Sequence, residues 1–89
     1  PIGAVKSQFF VRLHVADKSG VLASIAQTFA SENVSIQTVR QAGLGEDAEL
    51  IVVTHAASED ALDACVEKLK KMDIVRQVES VIRVEGAQS

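Results

Sequence analysis

Asp17-Lys18-Ser19-Gly20-Val21-Leu22 decides how this chain folds, because two hydrophobic periods meet in it. Before it, Phe9, Val11, Leu13 and Val15 alternate with Phe10, Arg12, His14 and Ala16, the period of two expected of a strand with one buried face. After it, Leu22, Ile25, Ala26 and Phe29 recur at helical spacing, with Ser24, Gln27, Ser31 and Glu32 on the other side. Gly20 permits the sharp turn between the two. The helix that follows opens with N–H groups that have no carbonyl within the helix. Such donors suit a carboxylate, and the Asp17 side chain suits an ammonium group, so the pair fits a free amino acid. The bland alternative is an ordinary turn in which Asp17 caps the helix. On the residues alone both readings stand.

Working outward, Asn33 tolerates the left-handed position at which a helix ends. Val34, Ile36 and Thr38 then alternate with Ser35 and Gln37 in a second strand running towards Arg40. Its polarity places it at a sheet edge. Ala42 to Asp47, with Gly43 and Gly45, reads as a flexible hairpin loop. Leu50-Ile51-Val52-Val53-Thr54 is a continuous apolar run, the pattern of a central strand buried on both faces. Ser58 is an N-cap candidate with Glu59 and Asp60 behind it. Leu62, Cys65, Val66 and Leu69 form the stripe of a second helix, and Val75 to Val84 a last strand. Residues 1–7 read as a linker or tail, 8–85 as the folded domain and 86–89 as a C-terminal tail.

The order is strand, helix, strand, strand, helix, strand, and its halves repeat. A shift of 40 lays Leu22, Ile25, Ala26 and Phe29 on Leu62, Cys65, Val66 and Leu69, and Val11 and Leu13 on Ile51 and Val53. Two βαβ units with right-handed crossovers make an α+β, ferredoxin-like βαββαβ sandwich: a four-stranded antiparallel sheet with two helices on one face. The first and third strands are central in it.

Composition narrows the function. The 89 residues suffice for one domain, 47% are hydrophobic and only three are aromatic, which gives an aliphatic core. A formal charge of -3 offers no attraction to nucleic acid or anionic lipid. RNA-binding relatives of this fold stack bases on open-face aromatics, and here only Phe10 is on offer. Acylphosphatase-like hydrolysis needs an arginine in the first turn, which holds Lys18 instead. His14 and His55 lack metal-ligand spacing or a serine partner, and His14 reads as a solvated or interface residue. Cys65 falls on the inward stripe as a buried thiol. No glycine motif for phosphate or dinucleotide appears. No apolar run approaches the roughly 20 residues of a membrane span, and no signal peptide opens the chain. A soluble, cytoplasmic domain without catalytic site, metal or cofactor is the expectation. The start at Pro1 reads as processing or as a piece of something larger.

Val15-Ala16-Asp17-Lys18-Ser19-Gly20-Val21-Leu22, then Phe29-Ala30 and Asn33-Val34-Ser35-Ile36, resembles the ACT domain, a βαββαβ regulatory module that binds amino acids. Ser19 departs from the proline found in many members. Arg12 to Asp17, Val34 to Gln41, Ile51 to His55 and Val81 to Gly86 look more specifically like the C-terminal ACT domains of the bacterial homoserine dehydrogenase family. The resemblance implies an effector, threonine foremost, held where the first loop of one domain meets the first helix and second strand of a neighbour. Asp17 would take the ammonium group, and the N–H groups of Gly20, Val21 and Leu22 the carboxylate. Asn33, Val34, Ser35 and Ile36 would close the pocket. It also implies a homo-oligomer, at least a dimer, and a catalytic domain of the parent enzyme that uses NAD(P). A freestanding dimerisation module without a ligand is the alternative.

Overall fold

Alternation carries the sheet. The computed structural model describes residues 6–84. Strand β1 (Lys6–Ala16) buries Phe9, Val11, Leu13 and Val15 on one face and leaves Phe10, Arg12 and His14 on the other. It pairs antiparallel with β3 (Asp47–Thr54) on one flank and with β5 (Val75–Val84) on the other. Strand β2 (Ile36–Leu44) pairs antiparallel with β3 and ends the sheet on that side. The spatial order is therefore β2-β3-β1-β5, the ferredoxin-like arrangement with β1 and β3 central. A two-residue strand, β4 (Ala57–Ser58), pairs with Ser7 and Lys6 and continues the line of β3 along β1.

Helices α1 (Val21–Ser31) and α2 (Glu59–Lys70) cover one face. Val21, Ile25 and Phe29 from α1, and Leu62, Cys65 and Leu69 from α2, enter a single core with the inner residues of β1 and β3. Lys68 of α2 ties the helices at the surface, meeting Glu32 at 2.6 Å and donating to Ser31 Oγ at 3.0 Å. The buried Thr54 hydroxyl accepts from the Phe9 N–H at 3.1 Å, so it enters the core without an orphaned polar atom.

Several sequence expectations shift. Lys6 and Ser7, read as linker, belong to β1, because pairing with β4 holds polar residues that no hydrophobic period marks. The flanks of the expected domain, residues 1–5 and 85–89, lie outside the described residues. The Ala42–Asp47 loop is instead a two-residue turn at Gly45-Glu46, with Leu44 paired to Asp47. Gly45 has φ 65°, the positive value that a Gly-first hairpin turn demands. Strand β3 is not buried on both faces: Ala48, Leu50, Val52 and Thr54 are, while Ile51 and Val53 are half-buried on the open face. This breaks the shift of 40 in the strands, because Val11 and Leu13 match Leu50 and Val52, a shift of 39. In α1, Ile25 and Phe29 are buried as expected, but Val21, at 6% exposure, opens the stripe in place of Leu22, which stands out at 45%.

Candidate functional site

The β1–α1 turn opens onto a cleft of about 420 Å³. Asp17, Lys18 and Gly20 form one lip, Leu22, Ala23 and Ala26 the helix wall, and Gln41 and Leu50 the sheet side. Gly20 is the N-cap of α1 with φ 83°, a left-handed conformation natural to glycine, and a Cβ there would meet nothing within 4 Å. Backbone freedom, not space, is what Gly20 supplies.

The polar groups of the turn are left largely unsatisfied. Asp17 does not cap α1, and its exposed carboxylate has no hydrogen-bond or ion-pair partner among the described residues. The Ser24 N–H donates to Gly20 O at 2.9 Å and the Val21 N–H to Lys18 O at 3.3 Å. The N–H groups of Leu22 and Ala23 precede the first helical acceptor and find none in the turn. With no acidic residue in its first turn, α1 presents an uncompensated positive end to the cleft. A carboxylate fits at Leu22 and Ala23 better than at Val21, whose N–H is already engaged. Beside it Asp17 offers an acceptor for an ammonium group.

Gln41 and Ala23 were not singled out by the sequence. Gln41 pairs with Leu50 and so faces the helix side of the sheet, past the end of α1. Continued from Ile36, strict alternation puts Gln41 on the opposite face. An irregularity between Ile36 and Thr38 reverses the parity, since both Ile36 and Val39 then lie opposite buried residues of β3.

The other expected pocket residues stand at the far end of α1, about 16 Å away for an 11-residue helix. Asn33 sits at φ 60°, its N–H bonded to Ala30 O at 2.9 Å, while the Val34 N–H reaches Phe29 O at 3.0 Å. This is a Schellman motif, and the Val34 side chain is buried in the core beside the helix it terminates. Ser35 is exposed and its carbonyl accepts from the His55 N–H at 2.8 Å; Ile36 is half-buried. One chain thus brings together Asp17, Gly20, Val21 and Leu22, and separately Asn33, Val34, Ser35 and Ile36. It does not bring the two sets into one pocket.

On the open face, His14 Nε2 lies 2.8 Å from Asp47 Oδ2, and Arg76 approaches the same carboxylate at 3.6 Å. Arg12 pairs with Glu49 at 2.9 Å. These contacts span 33 residues for His14 and Asp47, out of reach of spacing arguments. Cys65 is fully buried and its thiol is pushed up to about 12, first by burial and then by the charge of Glu32, against the pull of Lys68. No described helix is long and apolar enough to cross a membrane.

The sequence model of the ACT domain matches residues 9–73. The chain is 42% identical over 92 residues to the homoserine dehydrogenase of Mycobacterium tuberculosis (H37Rv), covering 97% of this chain and 21% of that protein. The homoserine dehydrogenase of Corynebacterium glutamicum is 41% identical over 83 residues, covering 93% and 19%. The crystal structure of a homoserine dehydrogenase from Thiobacillus denitrificans superposes with a TM-score of 0.83 at 30% identity, over 96% of this chain and 19% of that one. The ACT domain from GTP pyrophosphokinase of Chlorobium tepidum, at 19% identity and a TM-score of 0.66, shares the fold. The chain spans about a fifth of the length of the curated relatives it matches. The family's match over residues 9–73 and the β2-β3-β1-β5 sheet under two helices agree: this chain belongs to the ACT domain family.

Proposed function

We propose that this chain is the amino-acid-sensing regulatory domain of a homoserine dehydrogenase, and that threonine is its effector and feedback inhibitor. The observation that carries the reading is the β1–α1 cleft, where an unpartnered carboxylate stands beside the open N-terminus of a helix. A zwitterion satisfies both at once: its ammonium group goes to Asp17 and its carboxylate to the N–H groups at the start of α1, among Gly20, Val21, Leu22 and Ala23. Leu22, Ala26 and Leu50 supply the apolar side of a small side chain, and the Gln41 amide a partner for a hydroxyl. Asn33 to Ile36 of a neighbouring copy close the pocket. The free edge of β2, which carries Gln41 beside the cleft, is suited to pairing with its copy across a two-fold axis. Chemistry resides in the remainder of the parent enzyme, a cytoplasmic, NAD(P)-dependent catalytic domain in this reading, consistent with the matched relatives being named homoserine dehydrogenases.

Calorimetric titration of the chain with threonine, serine and isoleucine tests this. Threonine is expected to bind, and Asp17→Ala to weaken it about tenfold or more, because a hydrogen bond to a charged group contributes about 1.5–3 kcal/mol. Wild-type affinity in Asp17→Ala removes the assigned ammonium site. Heat with none of the amino acids leaves the free β2 edge as the functional feature, that of a dimerisation module without a ligand.

A further inference from the structure

Phe10, Val81 and Ile82 are large apolar side chains left 39%, 41% and 57% exposed. Phe10 and Ile82 are cross-strand partners on the open face of the sheet. Val81, opposite the inward-facing Val11, turns to the other side, so the patch wraps the free edge of β5. Beside it Phe10, Ile51 and Ile82 line a shallow hollow of about 150 Å³. One exposed apolar residue is ordinary, whereas three gathered at one corner mark a surface that something covers.

The geometry of the ends indicates what covers it. Antiparallel pairing sets Gln8 opposite Val84, so both ends of the described chain leave the sheet at this corner. The curated relatives continue for about four-fifths of their length beyond the matched segment. A continuation from Lys6 starts only about 13 Å along the strand from Phe10, and one from Val84 starts closer still to Ile82. A body tethered so near meets the patch at roughly millimolar effective concentration. It therefore needs much less than the ~800 Å² per partner of a stable free complex, which three side chains fall well short of supplying. The same shortfall argues against a second, untethered copy. Two of the charges beside the apolar centre are already matched, Arg83 with Glu59 at 3.4 Å and Arg12 with Glu49 at 2.9 Å.

We infer that the Phe10–Val81–Ile82 corner is the seat on which the remainder of the parent protein docks, with β1 joining that seat at one end to the Asp17 cleft at the other. The inference rests on the reading of this chain as a domain of a longer enzyme. Hydroxyl-radical footprinting compares the 89-residue chain, whose core is closed within itself, with the full-length protein that contains it. Phe10, Val81 and Ile82 are expected to oxidise freely in the chain and to be protected in the full-length protein. In the latter, the double substitution Val81→Asp, Ile82→Asp should expose Phe10 again. It should also weaken inhibition by threonine about tenfold, an ordinary allosteric coupling, with calorimetric threonine affinity unchanged. Equal oxidation of Phe10 in the two wild-type proteins overturns the inference. So does protection that appears in the isolated chain as its concentration rises, since a second copy is then the cover. If threonine and the other amino acids fail to bind, the effector reading falls, while the footprints still decide the dock.

Discussion

The two helices of this domain are equivalent in the core and opposite at their starts. Ile25 and Phe29 of α1 stand where Cys65 and Leu69 stand in α2, and all four are fully buried. At the N-terminus of α2 every ordinary device is present: Ser58 Oγ accepts from the Ala61 N–H at 3.1 Å, and Glu59 and Asp60 occupy the first turn. At the N-terminus of α1 none is present: Gly20 has no side chain to cap with, and no acid follows it. A chain that can close a helix start internally at one site leaves the other open beside an unpartnered aspartate. The open end is where a ligand can supply the missing charge.

The equivalence of the cores can be broken first, and the effect is the largest expected. Phe29→Ala and Leu69→Ala should each cost about 3–5 kcal/mol, read from urea midpoints, because each empties a site closed on all sides. A cost below about 1 kcal/mol for either would show that its helix is not anchored in a shared core.

A sharper difference lies one turn back, where α1 has Ile25 and α2 has Cys65. Only the thiol can ionise. The unfolded thiol loses its proton near its ordinary value of 9.0, while burial keeps the native thiol protonated to about 12. Between those values the native state binds more protons than the unfolded state. Stability from this group is therefore complete below pH 9 and lost as pH rises towards 12, by at most about 1.4 kcal/mol per pH unit. Denaturation of wild type and Cys65→Ala at pH 8 to 11 should show a slope in the first that the second lacks. Parallel curves would mean the thiol reaches solvent.

How far the sequence carried depends on whether a feature was local. The order of the two helices and four long strands, the central places of β1 and β3, the cap at Ser58 and the left-handed Asn33 all follow from runs of a few residues, and the structure has them, adding only the two-residue β4 as a fifth strand. Only the first member of the α1 stripe was misassigned, because Val21 and Leu22 are both apolar, and only tertiary contact chooses which one turns inward. The parity change in β2 that aims Gln41 at the cleft is a pairing irregularity with no residue to announce it. Contacts such as His14 with Asp47 depend on which strands become neighbours. Half of the proposed site was legible as a turn, Asp17 to Leu22. The half at Asn33 to Ile36 has a role of its own in ending α1, and its part in a pocket depends on a neighbouring copy.

The two helix starts also separate by substitution. Ser58→Ala should cost about 1 kcal/mol of stability and leave threonine affinity untouched, since its hydroxyl serves only its own helix. Asp17→Ala should do the reverse, changing affinity with stability held within about 0.5 kcal/mol, because its side chain has no partner among the described residues. If Asp17→Ala destabilises the chain as much as Ser58→Ala does, the aspartate is a structural residue of the turn and the contrast disappears.

The smallest expected change in stability makes α1 resemble α2. Ala23 is exposed in the first turn of α1, and Ala23→Glu places there the charge that Glu59 and Asp60 provide in α2. Glutamate at a helix start is worth about 0.3–1 kcal/mol, so melting should occur slightly later. The same carboxylate lies on the helix wall of the cleft, beside the N–H groups where the effector's carboxylate is proposed to sit, and like charges compete for the same N–H groups. Threonine affinity should therefore fall while the domain becomes more stable. That combination excludes general damage as the cause of lost binding. A domain that gains stability and still binds threonine as tightly would move the carboxylate away from the start of α1, and with it the reason for leaving that helix uncapped.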